Sequence, residues 1–427
     1  MIRNDTKPTI EKTLNENLCT GCGTCTICPN EAIELKKEKR RGIYLPKLNE
    51  KYCNYCGICY NICPGHAIDF KELNMKIFGR ESKDVLLGNY LNCYAGYASD
   101  YDIRYNSASG GLITQLLLFA LEEGLIDGAL VTRMKKDNPL EPEPFIAKTG
   151  DEIIEASKSK YCPVPANIML KQIIKERGKF AVVGLPCHIE GIRKAELVYE
   201  KLREKIILHL GLFCSNVPSF LATEFLIQNM KIDDEITEIE YRGGGWPGRM
   251  KIVSKNGYTI SIPTSDYWGS GFGTYFSTMR CKLCIDHTCE LSDISFGDAW
   301  LPEFLSDKSG WSIVISRTKL GEEILQNAAL RGKIKLVRVN SGKVVQSQGK
   351  LLMFKKSDLS ARKLLSRKIP AYNSELLKPK LDVYLNCISL RLGMALASKR
   401  LWTLLRIYVH MLKYAGLMKK SINRKDY

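Results

Sequence analysis

Residues 19–29 read CTGCGTCTICP, and residues 53–64 read CNYCGICYNICP. Each stretch has four cysteines separated by gaps of two or three residues and ends in a Cys-Pro pair. Such spacing gathers several thiolates around one point while the proline redirects the chain, which suits an iron-sulfur cluster. The two blocks form an internal repeat of about thirty-five residues, the length of one small supersecondary unit.

The alternative for these blocks is a pair of zinc knuckles. Zinc sites usually combine two short cysteine pairs separated by a longer loop. Eight cysteines in tandem exceed that need, so the pattern favours iron-sulfur over zinc.

The composition indicates an ordinary folded protein. A length of 427 residues predicts two or three domains, and 45% hydrophobic with 26% charged residues excludes disorder on a large scale. Because neither a secretory signal nor a membrane-spanning apolar run is present, we expect a reducing, cytoplasmic location, with peripheral membrane attachment as a further option. The net charge of +17 implies anionic partners; nucleic acid has only this charge in its favour and is not expected.

The middle of the chain alternates strand and helix patterns, which predicts an α/β domain with a partly parallel sheet. A helix is predicted from about Gly110 to Glu123, followed by a buried strand over Ala129 to Thr132. Further strands are predicted before Cys187 and before Cys214. Both cysteines should therefore emerge at the carboxyl edge of the sheet, where ligands bind in such folds.

A third group of cysteines is predicted at this edge. Cys281 and Cys284 form a C-x2-C pair, a strong ligand signal in a reducing compartment. With Cys187 and Cys214 they make a third cluster site, although a lone buried thiol is usually inert. Two further cysteines are held in reserve as ligands, Cys162 and Cys289.

Two glycine-containing segments are candidates for cofactor binding. Ser107 to Gly111 lies at a predicted helix start, where the backbone attracts phosphate; simple capping is the alternative. Tyr241 to Gly248 reads YRGGGWPG, which either covers a planar cofactor or joins two strands of a hairpin.

The segment from Leu390 to Met418 alternates apolar and basic residues. It is either a helix packed on its own domain or on a partner subunit, or an amphipathic helix on an anionic membrane. In the second interpretation Trp402 and Tyr408 are the interfacial side chains.

The cysteine blocks resemble a bacterial-type ferredoxin with two 4Fe-4S clusters. In that family the fourth cysteine of each block reaches across to the other cluster. The first block departs from the family because two residues, instead of the usual three, separate its third and fourth cysteines. The resemblance implies two ligand sets, namely Cys19, Cys22, Cys25 and Cys63 for one cluster, and Cys53, Cys56, Cys59 and Cys28 for the other.

The motifs SASGGL, EEGLIDGALV, SKYCPVP, GLPCHIEGIRKA, GLFCSNVPS, YRGGGWPG and RCKLC with SDISFGDAW resemble the coenzyme F-420 hydrogenase/dehydrogenase beta-subunit family. The resemblance covers roughly residues 85–350. It implies bound FAD, a third 4Fe-4S cluster held by Cys187, Cys214, Cys281 and Cys284, and coenzyme F-420 as co-substrate. The implied cofactor-binding residues are Ser107, Ser109, Gly110, Gly111, Lys160, Tyr161, Arg242, Gly243, Gly244 and Gly245.

The expected architecture has three parts. An α+β ferredoxin domain over residues 11–72 precedes an α/β flavin and deazaflavin domain with a mixed sheet over 85–350, and a basic helical tail covers 351–427. The expected activity is hydride transfer between coenzyme F-420 and FAD, with one-electron transfer through 4Fe-4S clusters to or from a ferredoxin-like or redox-enzyme partner. No side chain is nominated as a catalytic acid or nucleophile, because the cofactors carry the reaction.

Two alternatives stay open from the sequence. One is a ferredoxin-coupled flavin reductase of another organic substrate. The other is a non-enzymatic electron-transfer subunit that docks to a larger complex through its tail.

Overall fold

The computed structural model describes residues 7–357 and 359–422. Residues 423–427 of the predicted tail lie outside this range. The strands are β1 (Ile33–Glu38), β2 (Ile43–Leu48), β3 (Ala67–Asp69), β4 (Asn92–Ala98), β5 (Gly128–Met134), β6 (Pro142–Ala147), β7 (Phe180–Gly184), β8 (Ile206–Leu212), β9 (Ile236–Gly243), β10 (Arg249–Ser254), β11 (Thr259–Pro263), β12 (Ile294–Asp298), β13 (Ser312–Ser316), β14 (Ile334–Val339) and β15 (Ala371–Asn373).

The helices begin within the first described residues and continue into the tail. They are α1 (Ile10–Asn15), α2 (Ile58–Asn61), α3 (Phe70–Phe78), α4 (Tyr101–Tyr105), α5 (Leu112–Glu122), α6 (Gly150–Glu155), α7 (Leu170–Lys175), α8 (Pro186–Glu196), α9 (Glu200–Lys205), α10 (Phe220–Asn229), α11 (Thr264–Gly269), α12 (Phe272–Tyr275), α13 (Met279–Lys282), α14 (Lys319–Leu330), α15 (Ser341–Lys356), α16 (Leu381–Leu396) and α17 (Trp402–Ile422).

Residues 10–69 form a small cysteine-rich unit. Its hairpin pairs β1 with β2 in antiparallel register, with Ile33 opposite Leu48. Its core consists of two isoleucines and three cysteines, namely Ile10, Ile33, Cys25, Cys59 and Cys63. The cysteines thus occupy the place that apolar side chains fill in larger domains.

An eight-stranded sheet forms the centre of the protein, and we call residues 92–339 the sheet domain. The strand order is β14-β4-β13-β12-β8-β7-β5-β6. The four central strands β12, β8, β7 and β5 are mutually parallel, whereas the outer pairings are antiparallel. The prediction of a mixed sheet is therefore confirmed.

Helices cover both faces of this sheet because its central strands are apolar on both sides. Ala181 of β7 joins the core cluster that contains Leu116 of α5, while the next residue, Val182, joins the cluster that contains Ile189 of α8. Helix α5 begins and ends within two residues of its predicted bounds. Between β7 and β8 the chain forms two helices, α8 and α9.

A second sheet of three antiparallel strands, in the order β11-β10-β9, lies beside α10 to α12. Residues 243–249, which include the GGGWPG sequence, connect β9 to β10, so the hairpin interpretation of this motif is confirmed. The motif is therefore held by secondary structure at both ends.

The tail contains helices α16 and α17, and it also contains strand β15. This strand pairs in parallel with β3 of the cysteine-rich unit, with Tyr372 opposite Ile68. The tail therefore returns to the N-terminal part of the chain, which the expectation of a basic helical tail did not include. No helix in the described ranges is long and apolar enough to cross a bilayer.

Candidate functional site

The two cysteine blocks fold into equivalent turns. Gly21 and Tyr55, each two residues after the first cysteine of a block, both adopt a positive φ, at 73° and 55°. Their backbone N–H groups donate to the sulfurs of Cys19 and Cys53, each at 3.4 Å. Such N–H···S contacts stabilise thiolates and tune the potential of a bound cluster.

The eight cysteines of these blocks separate into two groups of four. Burial raises the pKa of Cys25, and the nearby thiols of Cys19, Cys22 and Cys63, followed by that of Cys59, raise it further. Burial raises the pKa of Cys59 to about 11, with Cys28, Cys56 and Cys53 adding to the shift. We call Cys19, Cys22, Cys25 and Cys63 the inner group, and Cys28, Cys53, Cys56 and Cys59 the outer group.

Both groups offer only thiols, the donor set of a 4Fe-4S cluster. Within the described residues, no three His, Cys, Asp or Glu side chains are arranged to hold a single metal ion. Four sulfurs bound to one zinc ion lie within about 4 Å of each other, whereas four irons space their ligands more widely. The short gap before Cys28 leaves this cysteine among the thiols that act on Cys59.

A third group of thiols lies at the carboxyl edge of the central strands. Cys187 is in the first turn of α8, Cys214 follows β8, and Cys281 is in α13. Cys281 and Cys214 both act on the pKa of Cys187, which burial raises well above its ordinary value. Cys284 and Cys281 likewise act on Cys214. We call Cys187, Cys214, Cys281 and Cys284 the edge group.

Buried polar atoms surround the edge group. Both carboxyl oxygens of Glu190 are buried without a hydrogen-bond partner among the described residues, as are Oδ1 of Asp286 and Nδ1 of His287. Such atoms are costly in an apolar interior. Their concentration around four cysteines fits a site built to enclose a polar inorganic group.

Two basic residues, Lys355 and Lys282, lie near the edge group, and they come from different parts of the chain. Lys355, on α15, donates to the carbonyl of Asp286 at 3.1 Å, and its pKa is raised by the edge-group thiols despite burial. Lys282 is also buried, and burial lowers its pKa to about 8. Lys282 lies between Cys281 and Cys284 in the sequence, whereas nothing in the local pattern indicates that Lys355 meets the cysteines.

The cysteine-rich unit docks directly against the edge group. The thiol of Cys22 acts on the pKa of Cys187, so the inner group is the one that faces the sheet domain. The Asn167 backbone N–H donates to the Cys22 carbonyl at 2.9 Å, and its side chain donates to Thr24 at 2.8 Å. A Cβ at Gly191 would collide with the Thr24 hydroxyl, so this contact requires glycine.

Two cationic side chains, Arg280 and Lys194, stabilise the same junction. Arg280, next to Cys281, donates to the carbonyls of Gly65 and Pro64 at 2.6 and 2.8 Å. Lys194 of α8 donates to the carbonyls of Cys63 and Ala67 at 2.9 and 2.7 Å. Residues beside edge-group cysteines therefore hold the inner group in place.

The Ser107 to Gly111 segment lies at the same sheet edge. Ser107 Oγ donates to the Ile103 carbonyl at 2.7 Å, and Ser109 Oγ donates to the Trp311 carbonyl at 2.9 Å. A Cβ on Gly110 would lie 2.6 Å from the Gly96 carbonyl oxygen, so only glycine fits this close approach. Both nominated serines thus fix the turn, and Gly111 begins α5 with no side-chain cap.

The Gly243 to Gly245 loop is brought close to that turn. Arg242 donates to both carboxyl oxygens of Asp298, each at 2.8 Å, and Trp246 Nε1 donates to the same carboxylate at 2.8 Å. Asp298 thereby neutralises Arg242 and fixes the loop. Gly310 separates the two nominated segments, because a Cβ there would meet both Ser109 and Trp246.

A cavity of about 570 Å³ opens between α4, α5, β5 and β9. Its lining includes Lys160, Asn106 beside Ser107, and Tyr241 beside Arg242. Lys160 Nζ donates to the carbonyls of Ala156, Ser157 and Lys158, and burial lowers its pKa to about 7. Tyr161 lies next to this lining and accepts a 3.3 Å hydrogen bond from Arg242.

Hydrogen bonds connect the glycine loop to the edge group. The Asp298 carbonyl accepts from Gln348 Nε2 at 2.9 Å, and Gln348 Oε1 lies 3.2 Å from His287 Nε2. The His287 carbonyl then accepts from the Cys214 N–H at 2.9 Å. These hydrogen bonds connect the glycine loop to the edge group through Asp298 and Gln348, which sequence reasoning missed. Of the nominated cofactor residues, Lys160 is the one in the cavity lining.

The two reserve cysteines lie apart from the edge group. Cys289 is buried in an apolar cluster with Ile285 and Leu291, and its thiol interacts with Asp286 and Arg317 rather than with the other cysteines. Cys162 is buried beside Tyr241 in another core cluster.

Comparison with known family models covers residues 18–341 apart from a short gap. Two matches are to the family described as "Coenzyme F-420 hydrogenase/dehydrogenase, beta subunit", with residues 93–171 matching its N-terminal part and residues 177–341 its C-terminal part. Residues 18–93 match the "4Fe-4S dicluster domain", which decides between iron-sulfur and zinc for the cysteine-rich unit.

Several similar proteins have names that refer to coenzyme F-420. The chain is 32% identical over 254 residues to the beta subunit of the coenzyme F-420 hydrogenase of Methanothermobacter thermautotrophicus, covering 58% of this chain and 84% of that protein. It is 26% identical to a subunit of the F(420)H(2) dehydrogenase of Methanosarcina mazei, covering 74% and 84%. It is 27% identical to the coenzyme F-420-dependent sulfite reductase of Methanocaldococcus jannaschii, covering 81% of this chain but 51% of that protein.

The fold has a solved counterpart. A chain of the F-420-reducing NiFe hydrogenase complex from Methanosarcina barkeri superposes with a TM-score of 0.53 at 27% identity, covering 69% of this chain and 98% of that one. Fold, motif order and the matched sequence ranges agree. The chain therefore belongs to the coenzyme F-420 hydrogenase/dehydrogenase beta-subunit family and carries a 4Fe-4S dicluster domain at its N-terminal side.

Proposed function

We propose that the protein is an iron-sulfur flavoprotein oxidoreductase. It transfers hydride between coenzyme F-420 and FAD, and it exchanges single electrons with a ferredoxin-like or redox-enzyme partner through three 4Fe-4S clusters. The observation that carries this proposal is the docking of the inner group against the edge group, where Arg280 donates to the Gly65 and Pro64 carbonyls and the Asn167 N–H donates to the Cys22 carbonyl, because it joins the cysteine-rich unit to the cofactor side of the sheet.

Three features support FAD binding at the sheet edge. The cavity of about 570 Å³ is within the size range of cofactor sites. Helix α5 starts there without a side-chain cap, and such helix ends favour phosphate. Gly244 has a positive φ of 68° and open space around its Cα, so a planar ring can approach the backbone.

The chemistry requires a group that handles both hydride and single electrons. A bound flavin supplies this chemistry, since it accepts hydride from a deazaflavin and gives up one electron at a time. The protein's own residues position rather than react: Ser109 and Arg242 fix the two loops, and Lys160 holds the carbonyls of the 156–158 turn. No side chain is nominated as an acid or a nucleophile.

The arrangement of the thiol groups gives an order for electron transfer. The edge group is connected to the glycine loop, the inner group faces the edge group, and the outer group lies beyond it. Three of the outer cysteines are only half-buried, namely Cys28, Cys53 and Cys56. We therefore assign the outer cluster as the exchange point with the partner.

The test is anaerobic purification followed by chemical analysis and turnover. We expect about twelve iron atoms and one FAD per chain, and oxidation of reduced coenzyme F-420 when a one-electron dye is supplied. About eight iron atoms would remove the edge cluster. Absence of F-420 turnover with FAD and all clusters present would overturn the proposed activity.

A second candidate is a subunit that only transfers electrons. It is favoured by the relatives and the solved counterpart that are named as subunits or as a complex. In this case Ser109→Trp, which obstructs the proposed flavin turn, leaves electron transfer unchanged. Ser306→Trp, at an exposed serine in the neighbouring loop, is the matched control.

A further inference from the structure

Two helices of the tail present apolar side chains to solvent in regular stripes. On α16 the exposed residues Leu381, Leu385, Ile388 and Leu392 follow a spacing of four, three and four, which places them on one helical face. On α17 the exposed apolar residues are Leu404, Ile407, Met411 and Leu412. Exposed apolar residues are ordinary when scattered, but two adjacent stripes form a patch that requires a partner.

The opposite faces of the same helices already bind the protein itself. Val383 and Cys387 of α16 are buried, and Trp402 and Leu405 of α17 pack in the core cluster that contains Phe225. Packing of the tail on its own domain therefore accounts for one face of each helix only. The exposed stripes lie on the other face of each helix, away from these buried residues.

The structure corrects the side chains that were expected to anchor the tail. Trp402 is buried, with its indole N–H donating to the Ala397 carbonyl at 3.0 Å. Tyr408 is half-buried and its hydroxyl lies 2.9 Å from Ser389 Oγ. Both hold α17 against the rest of the protein, so the exposed aliphatic stripes are the surface that remains.

Positive charge borders these stripes. Between residues 378 and 413 the sequence has one acidic residue, Asp382, and seven basic residues, namely Lys378, Lys380, Arg391, Lys399, Arg400, Arg406 and Lys413. Lys399 pairs with Glu224, and Arg406 donates to Asn229. An apolar face bordered by an excess of cations is complementary to anionic headgroups above acyl chains.

We propose that α16 and α17 form an amphipathic platform that lies flat on an anionic lipid surface. The exposed leucines and isoleucines enter the boundary between headgroups and acyl chains, and the bordering lysines and arginines contact the headgroups. The helices remain in the plane of the interface, since neither can cross a bilayer. This attachment is independent of the proposed F-420 chemistry.

The test is vesicle flotation of the full-length, anaerobically purified protein. With phosphatidylglycerol mixed into phosphatidylcholine vesicles, we expect at least about tenfold more bound protein than with phosphatidylcholine alone, and less binding as salt rises. Leu385→Ser with Ile407→Ser should lower binding about tenfold or more, because both side chains are over half exposed. Leu330→Ser with Val337→Ser removes comparable exposed apolar groups from the sheet domain and should leave binding unchanged.

A variant with fewer positive charges separates the electrostatic part of the interaction from the apolar part. Lys380→Gln with Arg400→Gln should reduce the preference for anionic vesicles, whereas Lys319→Gln with Lys335→Gln should not. Lack of vesicle binding at low salt, or equal binding to both vesicle types, would overturn the proposal. So would a dimer that forms without lipid and is lost in the Leu385→Ser, Ile407→Ser variant, since the stripes would then bind a second copy of the chain.

Discussion

The cysteine-rich unit packs around two isoleucines and three of its own cysteines, whereas the sheet domain packs around two large clusters of aliphatic and aromatic side chains, one of which also includes Ile27, Ile62 and Ile68 of the cysteine-rich unit. A small unit with few apolar contacts depends on its bound metal for folding free energy. A domain with a continuous apolar core does not depend on a bound metal in this way. This difference predicts a structural role for the clusters of the cysteine-rich unit and a mainly electronic role for the cluster proposed at the edge group.

Removal of iron should separate the two regions most strongly. Chelation under reducing conditions should unfold the cysteine-rich unit, because burial of unligated thiols together is unfavourable, and leave the sheet domain folded. Hydrogen exchange measured by mass spectrometry should show loss of protection in β1 and β2 and retention in β7 and β8.

Preserved protection in β1 and β2 after complete loss of iron would contradict this difference. Loss of protection in β7 and β8 at the same iron content would also contradict it, because the sheet domain should stay folded without iron. Addition of iron and sulfide should restore the protection of the hairpin.

The stability of the sheet domain should instead depend on contacts between its own side chains. Arg242→Met leaves the partly buried Asp298 carboxylate without its bidentate partner, and we expect the free energy of unfolding to fall by about 3 kcal/mol. Lys251→Met, which breaks an exposed pair with Glu238, should cost about 0.5 kcal/mol. Equal effects in chemical unfolding of the two variants would show that Arg242 does not anchor the loop.

A buried histidine should make the stability of the sheet domain depend on pH. His209 lies between Asp293 and Glu196, at 3.0 and 2.7 Å, with Arg193 bound to both carboxylates. These carboxylates raise the pKa of His209 above 6.5, although burial opposes the shift. The stabilisation is therefore complete below pH 6.5 and is lost as pH rises through the raised pKa.

Thermal unfolding above pH 6.5 measures this loss. His209→Gln should show a flatter dependence on pH than the unchanged protein. The matched control is His66→Gln in the cysteine-rich unit, because burial lowers the pKa of His66 to about 4 and this group stays neutral throughout the range. A flat profile in the unchanged protein would contradict the assignment to His209.

The smallest expected effect is a stabilisation of the cysteine-rich unit. Tyr55 has a φ of 55° at the position that Gly21 occupies in the first block, and this conformation costs a residue with a Cβ about 1 kcal/mol. The free energy of unfolding of the Tyr55→Gly variant should therefore be higher than that of Tyr55→Ala by about this amount, since both variants lose the aromatic ring. At Tyr52, whose φ is not positive, the order of the two variants should reverse.

The features that the sequence predicts best are those encoded over short distances. The two cysteine blocks, helix α5, the central strands and the β9–β10 hairpin all have local patterns, and the structure contains each of them. The placement of Cys187 and Cys214 at one sheet edge follows from the rule for parallel strands.

The remaining features depend on contacts between distant residues. Lys355 reaches Asp286, and Asn167 reaches Thr24, through the packing of separate elements. Pairing of β15 with β3 joins residues about three hundred positions apart, and no periodicity indicates it. The sequence also did not predict the burial of Trp402, since an amphipathic pattern does not say which apolar residues face the protein.

The central claim is that electrons pass from the flavin side of the sheet through the edge group into the cysteine-rich unit. The most direct measurement is rapid anaerobic mixing of reduced coenzyme F-420 with the oxidised protein, with flavin and iron-sulfur absorbance followed separately. In the unchanged protein both should bleach, and in Cys187→Ser only the flavin should, with the rate of cluster reduction lowered at least about a hundredfold. Cys387→Ser, at a buried thiol in the tail, should behave as the unchanged protein does. Full-rate reduction of the inner and outer clusters in Cys187→Ser would contradict the account.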